Sequence, residues 1–255
     1  MKEVLIKEYN NLENLRIKPK KDDFLYNIHF VEGAFCEIRG AEDTEFRIEF
    51  IDKKDNKFLH HHDINNNMWT RTNTRYFIDY LIRVKNRKTG EVIHECEYNA
   101  KGKRVMICFD SKAIGDTLAW FPYVEEFRKK HQCEVIVSTF HNEWFKDNYP
   151  DLEFIEPGDT VYNLYARYDV GWYYNKADYH EDNTVDSNKI PNDFRKGPLG
   201  KTCSDVLGLD YKEIRPKLTF KNTGPTIEGD YVVIAPHGSA HAKYWNREGG
   251  WQDVI

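Results

Sequence analysis

The sequence predicts an α/β protein that opens with an all-β domain, and three observations carry that reading. The first hundred residues hold several short stretches in which apolar and polar residues alternate. A strand–helix–strand pattern begins just after the Lys101-Gly102-Lys103 turn. A Gly- and Pro-containing polar linker at 221–230 then leads into a new apolar run. The expected division is therefore a β-rich domain over 1–100, a parallel α/β domain over 101–224, and the start of a second α/β domain over 225–255.

In the first part, residues 34–40 (AFCEIRG) and 45–52 (EFRIEFID) show the period of two that marks half-buried strands. Residues 75–86 (RYFIDYLIRVKN) form a third candidate, and the turn-like Arg87-Lys88-Thr89-Gly90 joins it to a hairpin partner at 91–98. Short strands separated by polar turns suggest a small sandwich or a partly open barrel. In the second part, 104–110 (RVMICFD) reads as a buried strand. Ile114, Leu118, Phe121, Val124 and Phe127 then recur at helical spacing through Lys130, with Pro122 inside the pattern expected to bend the helix. Residues 134–140 (EVIVSTF) read as the next strand, which completes a βαβ unit and implies a parallel sheet with a right-handed crossover. Strand ends are expected at 152–158 and 167–174, a loop at 175–192, a helix at 198–209 ending at Gly208, and a buried strand at 231–236 (YVVIAP).

Composition narrows the function. A net charge of -5 without a basic stripe gives no electrostatic reason to expect nucleic acid. The charged opening MKEVLIKEYNNLENL does not read as a signal peptide, and no apolar run approaches a membrane span. Cys36, Cys96, Cys108, Cys133 and Cys203 are odd in number, widely spaced and without a CxxC pair, so reduced thiols in a cytoplasmic protein are the expected state.

The best place for chemistry is 109–120 (FDSKAIGDTLAW), where a strand's C-terminal end meets a helix N-terminus. Asp110 stands at the strand end and Asp116 in the first helical turn, and either carboxylate suits a general base. An acid in a first turn is also explained by the helix dipole alone. Gly115 permits a tight turn or a close backbone approach, but it is a lone glycine. The dinucleotide fingerprint and the P-loop are both missing, which argues against an NAD enzyme or a P-loop nucleotidase. A second loop, 236–251 (PHGSAHAKYWNREGGW), also joins a strand to a helix, and in it Ser239 and Lys243 could hold a diphosphate, with His237 and His241 flanking Ser239. An ordinary polar loop with a solvated lysine explains the same residues. Trp245 and Trp251 read first as packing anchors. Of His60-His61-His62, at most His60 and His62 share a strand face, and no carboxylate or Cys pattern completes a metal site.

The stretch FDSKAIGDTLAWFPYVEEF resembles the heptosyltransferases of glycosyltransferase family 9, which carry a GD-x-L…P pattern on the first helix of the acceptor domain. APHGSAHAKYWNREGGWQDVI resembles that family's second signature, a hydroxyl residue followed by K-x-W and a later Trp. The match is closer to the autotransporter O-heptosyltransferases, through PYVEEFRKKH, EVIVSTF, PLGKT-SD-LGL, the KYWN…GGWQ ending, and the EFID strand and NNMW turn. The resemblance implies a GT-B fold, with a complete Rossmann-like acceptor domain and a donor domain only begun in this chain. It implies transfer of a heptose from ADP-heptose to a hydroxyl of a protein Ser or Thr or of a glycan, with inversion and without a catalytic metal. It places the base at Asp116 by the broader family's motif and at Asp110 by the autotransporter branch. Ser239 and Lys243 would hold the donor diphosphate, Trp245 would shape the sugar pocket, and Gly115 would lie on the donor side. A homo-oligomer is among the implied partners, while the branch's late iron-binding Cys cluster has no counterpart in these residues. A non-catalytic protein- or carbohydrate-binding module, a remnant of such an enzyme, is the alternative.

Overall fold

The computed structural model describes residues 23–175, 184–219, 224, 227–235, 238, 243–245 and 247–253. The chain divides into two compact units, Met1–Thr219 and Phe220–Ile255. Among the described residues no helix is long and apolar enough to cross a membrane.

The β-rich part of the first unit is a sandwich of two antiparallel sheets. One has the order β1 (Phe24–His29), β2 (Phe35–Gly40), β5 (Met68–Arg71); the other runs β4 (Lys57–Asn65), β3 (Glu45–Asp52), β6 (Tyr80–Asn86), β7 (Val92–Glu97). Alternation decides the faces: Cys36 and Ile38 from one sheet and Phe46, Ile48, Phe50, Ile82 and Val84 from the other are fully buried. Phe24 meets Phe46 edge-on at 5.1 Å across the two sheets. The predicted strand at 75–86 begins only at Tyr80. Its first residues are drawn off because Arg75 N–H donates to Asn188 O (2.7 Å) and Phe77 N–H to Val206 O (2.8 Å). The NNMW turn is confined to Asn66 and Asn67, and Met68 already opens β5.

The βαβ unit is formed by β8 (Arg104–Phe109), α1 (Ile114–His131) and β9 (Glu134–Ser138). With β10 (Leu152–Ile155) and β11 (Ala166–Val170) they make a parallel sheet of order β10-β9-β8-β11. The α1 helix runs through Pro122 without interruption. Phe30 extends this sheet beyond β11, its N–H donating to Tyr165 O (2.6 Å), so the sandwich and the parallel sheet are joined edge to edge. Phe77, Tyr98, Phe127, His131 and Tyr168 pack at the junction. The helix α2 (Leu199–Val206) lies on α1, with Trp120 Nε1–H donating to Leu199 O at 3.0 Å. It closes as expected at Gly208 (φ +62°), through Leu209 N–H to Ser204 O (2.8 Å) and Gly208 N–H to Asp205 O (3.2 Å).

In the second unit the strand expected at 231–236 is absent from the described residues 231–235. Val232 is 85% and Val233 79% exposed there. An apolar run becomes a buried strand only when neighbouring strands take its backbone groups and helices cover its faces.

Candidate active site

The strand order locates the crevice. From β8 the chain proceeds to β9 and β10 on one side, then returns to place β11 on the other side of β8. The C-terminal ends of β8 and β11 therefore flank a topological switch point, where open α/β sheets bind ligands. Asp110 sits at this point, its N–H donating to Val170 O at 2.9 Å.

The two candidate acids have different surroundings. Asp116 is in the first turn of α1 and is 9% exposed. Its Oδ2 accepts from Ser111 Oγ–H (2.6 Å) and from Trp172 Nε1–H (2.7 Å). Ser111 Oγ in turn accepts from Ala113 N–H at 3.1 Å, which ties the loop ahead of α1 to that carboxylate. Asp110 is exposed and lines a cleft of about 260 Å³ together with Glu32, Arg75, Arg167, Asp169, Tyr173 and Lys189. Its Oδ2 accepts from the Tyr173 hydroxyl.

The cleft is mixed in charge. Arg167 pairs with Asp169 at 2.8 Å, and Arg75 with Glu32 at 3.3 Å. Because β11 buries Ala166, Tyr168 and Val170, its alternate residues Arg167 and Asp169 face the cleft side of the strand. Glu32 and Arg75 come from the sandwich side of the junction, so both parts of the first unit build the wall.

The segment 171–173 was read from sequence only as a strand end. It leaves β11 and crosses the ends of the parallel strands, so that Trp172 reaches Asp116 and Tyr173 reaches Asp110. The available signal was the break in alternation at GWYY, three aromatics where the strand's period of two fails. Gly115 makes no tight turn: it has helical backbone, and a Cβ there would meet nothing within 4 Å. What it leaves is open space beside the exposed Ile114 at the first turn of α1.

Ser239, His237 and His241 lie outside the described residues. Lys243 and Trp245 are both exposed, and Trp245 packs edge-on against Trp251 at 5.2 Å. His60 and His62 do share a face (5.1 Å between rings), but His60 stacks on Phe50 and His62 pairs with Thr70 Oγ1. None of the five cysteines is in a disulfide.

No family model matches the chain. The chain is 30% identical over 214 residues to the autotransporter heptosyltransferase Aah of Escherichia coli, a match covering 83% of this chain and 52% of that protein. This chain is a homologue of the autotransporter heptosyltransferases. Among solved structures it superposes on the iron-containing dodecameric glycosyltransferase TibC of enterotoxigenic E. coli with a TM-score of 0.77 and 26% identity, over 93% of this chain and 59% of TibC. A second TibC structure, a complex with ADP-D-beta-D-heptose, matches with a TM-score of 0.76. A further relative at 26% identity over 72% of this chain, from Burkholderia thailandensis, is named an inactive autotransporter heptosyltransferase. The homologue spans about half the length of the curated relatives it matches. Among its described residues there is no group of three or more His, Cys, Asp or Glu that could hold a metal ion.

Proposed function

We propose that this chain forms the acceptor side of a GT-B heptosyltransferase that moves a heptose from ADP-heptose to a hydroxyl of a protein Ser or Thr or of a glycan. In this reading the acceptor enters the cleft at the ends of β8 and β11. Asp110 takes the proton of its hydroxyl as that oxygen attacks the anomeric carbon from the face opposite the leaving diphosphate, which inverts the centre. The observation that carries the assignment is the contrast between the acids: Asp110 opens on the cleft, whereas Asp116 is buried under Trp172 and Ser111 and holds the α1 loop in place. Lys243 and Ser239 would meet the diphosphate, the lysine countering charge on the departing ADP. Trp245 would border the sugar, and the space over Gly115 would admit the donor at α1. The same proposal takes 1–100 as the sandwich domain, 101–224 as the Rossmann-like acceptor domain and 225–255 as the beginning of the donor domain, in a cytoplasmic homo-oligomer.

The test is heptose transfer from ADP-heptose to an autotransporter passenger domain by the full-length translation product, read as mass added to the acceptor. Asp110→Asn is expected to lose roughly 10²–10⁴-fold in rate, the usual worth of a general base. Asp116→Asn, whose amide oxygen can still accept from Ser111 and Trp172, is expected to stay within about tenfold of wild type. The reverse order would move the base to Asp116. Lys243→Ala is expected to weaken ADP and ADP-heptose binding in calorimetry. The relative named inactive favours a second reading, a non-catalytic binding or assembly module. A folded full-length protein that binds neither ADP nor ADP-heptose and transfers nothing would support it.

A further inference from the structure

Tyr173 takes no part in the proton transfer just described, yet it is held against Asp110 from three directions. Its hydroxyl donates to Asp110 Oδ2. Behind both lies the buried Gly171, where a Cβ would come within 3.0 Å of Asp110 Cβ and 3.0 Å of Tyr173 Cζ, so that a larger residue would press on both side chains at once. On the ring of Tyr173 stands Lys189, its Nζ 4.3 Å from the centroid. Lys189 is placed there by a turn that is itself pinned to Tyr173: Asp186 N–H donates to Tyr173 O (3.0 Å), and Lys189 N–H donates to Asp186 O (3.0 Å). Burial first, and then the bond to Asp110, hold the Tyr173 phenol well above its ordinary range, which keeps it a proton donor.

An exposed aspartate at a strand end is otherwise free to rotate, whereas a base must sit within hydrogen-bond reach of the proton it takes. We propose that Tyr173 is a positioning residue for Asp110. Its hydroxyl occupies Oδ2 and leaves Oδ1 as the oxygen presented to the acceptor, with Gly171 and Lys189 fixing the phenol. The inference rests on Asp110 being the base. In the step itself the acceptor oxygen bonds to the anomeric carbon, the bond from that carbon to the diphosphate oxygen breaks, and the acceptor proton goes to Asp110 Oδ1. Tyr173 keeps its own proton throughout.

The experiment is steady-state kinetics of the full-length protein with Tyr173→Phe, which retains the ring, its packing and the lysine contact. The expected result is a fall in kcat of about 10–100-fold, with KM for ADP-heptose and Tm nearly unchanged. Lys189→Met, a change to a half-buried side chain at the cleft wall, is expected to lower kcat alone by a smaller factor, and it keeps the proposal testable should the tyrosine variant fold poorly. In an Asp110→Asn background the Tyr173→Phe change is expected to cost nothing further, because the group it positions is gone. A Tyr173→Phe enzyme within about twofold of wild-type kcat overturns the proposal, as does an equal loss in both backgrounds. Should Asp110→Asn keep wild-type kcat, the base reading falls, and that result is separate from any effect at Tyr173.

Discussion

Removing the Asp116 carboxylate tests whether that residue is a structural anchor, and the expected cost follows from its two donors. In Asp116→Ala, Trp172 Nε1–H and Ser111 Oγ–H lose a shared acceptor at 2.7 and 2.6 Å. A hydrogen bond to a charged group contributes about 1.5–3 kcal/mol net, and a half-buried indole N–H has few other acceptors. The Ser111 hydroxyl can rotate to another partner, so its share is smaller, about 1 kcal/mol or less. The sum is about 2–4 kcal/mol, or roughly 5–15 °C in Tm for a unit of this size. Trp172→Phe keeps the ring beside Trp120 (5.2 Å) and Phe194 (4.8 Å) but removes the donor. The measurement is a double-mutant cycle of Asp116→Ala and Trp172→Phe by thermal and urea unfolding. A coupling of about 1.5–3 kcal/mol is expected. Additivity within about 0.5 kcal/mol would refute the anchor role and return Asp116 to candidacy as the base.

Gly208→Ala places a Cβ at φ +62°, 2.1 Å from Phe77 Cδ1, while Gly102→Ala at φ +65° meets nothing within 4 Å. Both should lose the left-handed cost of about 1–2 kcal/mol, and Gly208→Ala should lose clearly more in unfolding midpoint, so equal losses would discount the Phe77 contact. Phe121 is fully buried and stacked on Phe145 at 3.7 Å, so Phe121→Ala should cost about 3–5 kcal/mol by urea titration. Burial lowers His131 and His29 from 6.5 to about 4, so each is neutral when folded. The unfolded chain takes up protons first: their contribution is complete above pH about 6.5 and is lost as pH falls toward about 4, by about 1–2 kcal/mol each after allowing for partial exposure. His131→Phe should remove about half of that pH slope in urea midpoints.

Much of the first unit was legible because its signals are local. The period of two identified β2 and β3, the turn at Arg87-Lys88-Thr89-Gly90 pointed to β7 as a hairpin partner, the helical spacing from Ile114 to Phe127 identified α1, and Gly208 marked the end of α2. What was illegible depends on pairing at long range. Tyr173 lies 63 residues from Asp110, and Trp172 lies 56 from Asp116. They meet because β11 inserts beside β8 and not beside β10, and strand order leaves no mark in the composition of a strand. The apolar run at 231–235 failed for the converse reason. Its β-forming residues are a local signal, but a strand in a parallel sheet is made by its neighbours.

The same distinction explains why the motif alone left two candidates for the base. Five residues separate Asp110 from Asp116, and both fall where a strand end meets a helix N-terminus, so their place in the motif does not choose between them. Their environments diverge through the three residues after β11. Gly171 allows close approach, Trp172 caps the helical acid with a donor and covers it, and Tyr173 holds the strand-end acid by one oxygen at an open cleft. The spacing of the two acids thus locates a candidate site, while the surroundings of each carboxylate are set by the segment that the return to β11 lays across them. Exchanging the residues at 172 and 173, Trp172→Tyr with Tyr173→Trp, should therefore disturb both acids at once while leaving the acids and their spacing intact.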